Sequence, residues 1–434
     1  MNPILIGALS FVFLMMALVI GVPIAVSMAV IGILGYYMIA GLDATMGMVA
    51  LIPWAKATHY TFTVVPLFIF MGSLIFYAGF GKDLYESARK WVGHLPGGLA
   101  LTTVLACTGF AAACGSSTAT AATMGKIAVP EMDRFGYDRR LSLGSVASGG
   151  TIAIMIPPSI AMILFCSVTD QPISKMLIAG IFPGLLMALS YMTMITLRAR
   201  LNPSIAPPGD RSAWDLRFKS LGKIWGVAAI SMLVLGGIYF GIFTPTEAGS
   251  LGACGALLLG VATRRLNLHS ILQALMDTVK TMGMIFIIVI AAFMFSAQFT
   301  ISRLPQELAG WVLGTNLPPI VVLLWILALY LVMGTFVETI PLIFLTVPIV
   351  FPMTVALDIN PIWFGILTIH CIEMGMITPP FGITLFATKA SMPDARLEHI
   401  IKGMVPFLLA DAVVLIILII FPKISLFLPD LMLK

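Results

Sequence analysis

Charge is scarce in this chain. Of its 434 residues, 24 are Lys or Arg and 19 are Asp or Glu, a charged share of 10%. Ordinary soluble domains carry roughly 25%. With 60% hydrophobic residues and a mean hydropathy of +1.06, too few charges remain to solvate a globular surface or to keep the chain disordered. The basic residues are scattered through short loops, which excludes a nucleic-acid patch. Only 5 cysteines occur, in apolar stretches and without CxxC spacing, so they read as small core residues and not as metal or redox groups. His59, His94, His269, His370 and His399 show no ligand spacing. No GxxxxGK[ST] loop is present, so the chain does not hydrolyse ATP; TATAATMGK contains Lys126 but lacks the glycine spacing of a phosphate cradle. Ser116 has no His or Asp at a motif-like distance, which removes a serine nucleophile and leaves no sign of an enzyme. No basic stretch precedes the first apolar run at Ile4, so that run reads as a retained helix and not a cleaved signal.

What the chain has instead is apolar runs. Blocks at 4–20, 24–40, 60–78, 142–168, 176–197, 224–242, 247–262, 282–300, 362–388 and 404–428 suit spanning helices, with further apolar material at 46–55, 97–130 and 318–356. A bilayer crossing takes about 20 apolar residues. The longest polar stretch, from Arg198 to Lys223, contains NPSIAPPGDRSAWD and reads as a linker. Segments 81–94 and 266–280 mix charge with an apolar face and read as helices lying along the membrane interface.

Proline punctuation exposes a repeat. Under a shift of 222 residues Pro23 meets Pro245, Leu95-Pro96 meets Leu317-Pro318, Pro130 meets Pro352, and Pro157-Pro158 meets Pro379-Pro380. Pro183 meets Pro406 with a slip of one. Proline breaks helices, so a doubled pair and several singles at one offset point to duplication. The halves are 1–200 and 223–434, joined by a linker at 201–222. Loop charge orients them. Seventeen of the 24 basic residues fall on the cytoplasmic side if that linker is cytoplasmic and if 97–130 and 318–356 are re-entrant hairpins. The expected fold is all-α and polytopic, with about 11 transmembrane helices and two re-entrant hairpins in inverted-topology repeats. Such repeats, with broken helices meeting at mid-membrane, belong to secondary transporters.

Candidate site residues cluster at four places. CGSSTATAATMG (Cys114–Gly125) is too rich in Gly, Ser and Thr to hold a helix by propensity. It offers hydroxyls and free carbonyls for a hard cation, with Ser116, Ser117 and Thr118 foremost. MGTFVETIPLIFLTVPI repeats the theme with Gly334, Thr335 and Thr339, and adds Glu338, a carboxylate in apolar surroundings. Glu373 in CIEMGMITPP is a second such carboxylate. The double prolines, Pro157-Pro158 downstream of Gly149, Gly150 and Thr151, and Pro379-Pro380 after Thr378, should unwind a turn and free carbonyls toward the hairpin tips.

GFAAACGSSTATAATMGKIAVPEM, GGTIAIMIPPSIAMILF, MGTFVETIPLIFLTVPIVFPM and GMITPPFGITLF together resemble the large membrane subunit of tripartite ATP-independent periplasmic (TRAP) transporters, over essentially the whole chain. The resemblance implies a sodium-driven importer of organic anions in the bacterial inner membrane, working with a small four-helix membrane subunit and a periplasmic substrate-binding protein. No helices precede residue 1 to represent a fused small subunit, so that subunit is expected as a separate polypeptide. The family is also similar to divalent-anion/sodium symporters, which implies an elevator motion of the hairpin domain. Carried onto this chain, the sodium sites would be Ser116, Ser117, Gly149 and Thr151 in one half, and Gly334, Thr335, Glu338 and Thr378 in the other. Substrate would lie by Thr118, Thr339 and the proline breaks Pro157, Pro158, Pro379 and Pro380. The N-terminus is expected in the periplasm. A stand-alone sodium- or proton-coupled dicarboxylate symporter and an anion channel subunit are the alternatives.

Overall fold

The computed structural model describes residues 2–315, 317–379, 382–392 and 394–432. Among these the regular structure is α-helix with two short 3-10 turns, and no strand occurs. In a hydrocarbon medium that is the economical outcome, because a helix satisfies every backbone donor and acceptor within itself. The ends are fixed by local chemistry. Asn2, Asn267 and Asn360 accept bonds from Ile4, Ser270 and Ile362 backbone N–H groups at 3.0, 2.8 and 3.0 Å, and Thr244 with Glu247 forms a capping box.

Among the described residues seven helical stretches are long and apolar enough to cross a membrane, or 8 if the bent pair Arg139–Met155 and Ile160–Thr169 is one span. Shorter apolar helices run Ile24–Ala40, Gly98–Cys114, Pro319–Gly334 and Pro361–Met376. Length and composition alone thus account for 7 or 8 of the roughly eleven crossings expected.

Each half carries the same succession. A helix pair turning back on itself, Gly98–Cys114 with Ser117–Arg134, is followed by the bent pair. In the second half Pro319–Gly334 turns into Thr339–Ala356, followed by Pro361–Met376 and Ile383–Ser391. Ser117–Arg134 and Thr339–Ala356 are both 18 residues long, and the 222-residue shift carries one onto the other end to end. We call Gly98–Cys114 with Ser117–Arg134 the first hairpin and Pro319–Gly334 with Thr339–Ala356 the second.

Three sequence expectations need correction. The first hairpin does not turn through twelve small residues: it turns at Gly115 and Ser116, and STATAATMG is helical. Ser116 accepts a bond from the Ala119 N–H at 3.4 Å and caps the new helix, Gly115 takes φ 61°, and packing overrides a weak propensity. Segment 266–280 is not a separate interfacial helix. It opens a continuous 35-residue helix, Leu268–Ser302, which has no proline to break it and is about 52 Å long. The linker is shorter than expected, because Trp214–Tyr239 already begins inside it.

The helix Phe80–Val92 matches the amphipathic segment and gathers charge at one end of the molecule. Its Asp83 pairs with Arg265, Arg89 with Glu131 of the first hairpin, and Glu86 with Lys223 at 3.0 Å. At the same end Asp138 N–H donates to the Ile205 carbonyl at 2.8 Å. Elsewhere helices pack through glycine. A Cβ on Gly144 or on Gly403 would strike the backbone of the facing helix, so Arg139–Met155 and Leu397–Ile420 cross with nothing between them.

Candidate functional site

The two hairpin tips and the helices after the two breaks meet around one open cavity of about 630 Å³. Ser116 and Thr118 come from the first tip, Glu338 from the second, Ile160 from the helix after the first break, and Ala387 and Ser391 from the helix after the second. The long helix Leu268–Ser302 closes the side with Thr281, Met284 and Ile288. Ser116 Oγ lies 3.3 Å from Thr118 Oγ1. Glu338 is the residue before the helix Thr339–Ala356, yet its side chain makes no capping bond, and it stays half-buried on the cavity wall.

Behind the wall, a second layer is fully packed. Thr339 Oγ1 donates to Glu373 Oε1 at 2.6 Å, while Glu373 Oε2 has no hydrogen-bond partner among the described residues. Ser117, from the other half, and Glu338 both lie near that carboxyl. A Cβ on Gly150 would sit 2.8 Å from the Ser117 carbonyl oxygen, and one on Gly149 2.8 Å from Cys107 Sγ. This pair of glycines lets the first bent helix lie directly on the hairpin. In the second half a Cβ on Gly334 would sit 2.8 Å from the Ile372 carbonyl oxygen. The hairpin tip also touches the first break: a Cβ on Gly115 would run into the Pro158 carbonyl.

The candidates therefore divide. Ser116, Thr118 and Glu338 face the cavity. Ser117, Gly149, Gly334, Thr335 and Thr339 are buried behind it. The hydroxyls of Thr335 and Thr378 donate to carbonyls of their own helices, Val332 at 2.8 Å and Met374 at 2.6 Å, which leaves their lone pairs able to meet a cation. Pro157 and Pro158 are buried at the break, joined by a cis peptide bond, and Pro379 is half-buried; none of them is on the cavity wall. Pro380 lies outside the described residues. Thr151 faces elsewhere. Its hydroxyl donates to the Ser148 carbonyl and lies 3.3 Å from the Tyr191 hydroxyl, which donates to Asp411 Oδ2 at 2.6 Å.

Sequence reasoning passed over that last group, although Asp411 interrupts the apolar run LLADAVVLIILII as visibly as Glu338 interrupts its own. It also set Lys126 aside once the phosphate-loop reading failed, and treated Asp277 and Lys280 as interfacial. All three line an adjoining cavity of about 490 Å³ that shares Ser116, Thr281 and Lys126 itself with the first.

With this geometry in hand, the chain can be compared with known proteins. Residues 11–424 match the family described as "Tripartite ATP-independent periplasmic transporter, DctM component". Over 373 residues the chain is 36% identical to the C4-dicarboxylate TRAP transporter large permease protein DctM of Pseudomonas aeruginosa, a match covering 86% of this chain and 87% of that protein. The protein of the same name from Vibrio cholerae is 32% identical over 448 residues, 98% of each chain. In fold, the crystal structure of the Alcanivorax borkumensis YdaH transporter matches 98% of both chains at TM-score 0.64 with 14% sequence identity. The chain thus belongs to the DctM family, the large permease component of tripartite ATP-independent periplasmic transporters.

Proposed function

We propose that this permease carries organic anions of the C4-dicarboxylate class inward across the bacterial inner membrane, driven by sodium. The observation that carries the reading is the convergence of both hairpin tips and both post-break helices on one cavity. A site built from mirrored elements of two halves is what alternating access needs, because each half can seal one side. The matching bounds of Ser117–Arg134 and Thr339–Ala356 support the duplication; the distribution of basic loop residues supports its inversion, with the hairpins re-entrant and the N-terminus periplasmic. Sodium is cargo in this scheme. It enters at Ser116, Ser117 and Gly149 in one half and at Gly334, Thr335, Glu338 and Thr378 in the other, where hydroxyl and carbonyl oxygens meet it and Glu338 offsets its charge; Thr151, turned toward Tyr191, stands outside this set. The ions then offset the anion beside Thr118 in a medium where charge is poorly screened. The hairpin domain next slides against the remaining helices as an elevator. A periplasmic substrate-binding protein delivers the anion, and a small four-helix membrane subunit completes the assembly.

The test is uptake of labelled succinate into liposomes containing the chain with its two partner proteins. Uptake that saturates with sodium and requires the binding protein is expected. Uptake by the chain alone would favour the stand-alone symporter, and flux that follows the anion gradient without sodium would favour a channel.

A further inference from the structure

We infer that Lys126 and Lys280 form an anion clamp in the cavity beside the first hairpin, selecting solutes that carry two acidic groups. The inference deepens the transport reading and rests on it. Lys126 projects from the hairpin arm Ser117–Arg134, and Lys280 from the long helix Leu268–Ser302; both line the same cavity, with the hydroxyls of Ser116, Thr123 and Thr281 between them. Neither ammonium has a hydrogen bond or an ion pair among the described residues. That sets them apart from Lys223 and Lys402, which bind Glu86 and Glu398.

Both side chains are exposed where they line the cavity. Lys126 stands nine residues past the start of its helix and Lys280 twelve past the start of its own. With no partner among the described residues, the two ammoniums leave their donors free for an anion entering this cavity. Two carboxylates share these walls, Asp277 in the cavity of both lysines and Glu338 in the one that Lys126 also lines, yet neither is ion-paired with Lys126 or Lys280. Asp277 instead accepts a bond from the Tyr77 hydroxyl at 2.5 Å. Lysine presents a compact charge on a flexible stem, which suits carboxylates of varied spacing. One lysine would hold a monoanion; the second gives a dianion its advantage. Because the two stand on different elements, the bound solute bridges the hairpin and the long helix. Lys126 and Ser116, shared by both cavities, connect the clamp to the hairpin tips.

The experiment measures amine modification of the full chain in lipid nanodiscs by mass spectrometry, with the exposed Lys219 on Trp214–Tyr239 as internal control. Probes are the diacids from malonate to adipate and their monomethyl esters, with sodium present. At least one diacid should protect Lys126 and Lys280 together, about tenfold better than its monoester. Lys126→Gln should abolish protection of Lys280, Lys280→Gln should abolish protection of Lys126, and Lys126→Arg should retain it. Absence of protection by any diacid, equal protection by the esters, or protection of Lys280 unchanged in Lys126→Gln each overturns the clamp. Sodium-driven uptake, measured separately, tells the two readings apart. Uptake without protection removes the clamp alone, whereas protection without uptake of any organic anion removes the transport reading.

Discussion

Single carboxylates carry most of the information at the residue scale. Glu338 was legible because one charge in an apolar stretch needs a reason, and the structure sets it on the cavity wall. Replacing it, Glu338→Gln, should raise the sodium concentration for half-maximal uptake about tenfold while insertion is unchanged; uptake at limiting sodium equal to wild type would remove Glu338 from the site. Thr339 makes a different contribution. Thr339→Val deletes the donor to Glu373 Oε1 and leaves both oxygens of a buried carboxyl without a partner. It should cost about 1–3 kcal/mol, read as a lower melting temperature in detergent, with Thr339→Ser close to wild type. What sequence could not show is which hydroxyls face the cavity. Ser116 and Ser117 are adjacent, yet one lies on the wall and the other beneath it, a distinction set by where the helix starts.

Elements were legible where prolines or long apolar runs marked them, and misread where polar residues served a cavity. In the 35-residue helix the charges of LNLHSILQALMDTVK suggested a membrane surface. Asp277 and Lys280 line a cavity instead, a role no local pattern distinguishes from exposure to bulk water. The hairpin turn was overextended for a related reason: small residues that weaken an isolated helix are those that let this one lie against Gly150. Gly150→Val should therefore separate the hairpin from the bent helix. We expect a loss of about 2 kcal/mol or more, with Gly150→Ala milder, measured by thermal unfolding of purified protein. Unfolding at the wild-type temperature in Gly150→Val would mean that the two elements do not pack as closely as described.

At the scale of the whole molecule, the repeated order of helices followed from the proline offset, since a duplicated break stays visible after most side chains have diverged. The meeting of the two tips did not follow, because nothing in a linear pattern says which elements face each other across a cavity. A bifunctional thiol reagent tests the meeting directly. In a background with Cys254→Ser, the pair Thr118→Cys and Glu338→Cys should join in high yield, while Thr118→Cys with Val19→Cys should not. Sidedness has its own check: a membrane-impermeant label should reach Arg211→Cys, at an exposed linker position, only from the cytoplasmic face. Finally, the seam at Gly144 and Gly403 limits how such a machine can move. Two main chains in direct touch have no side-chain layer to shear, so Arg139–Met155 and Leu397–Ile420 must travel as one rigid piece, and any gliding surface has to run through bulkier, lubricated contacts elsewhere.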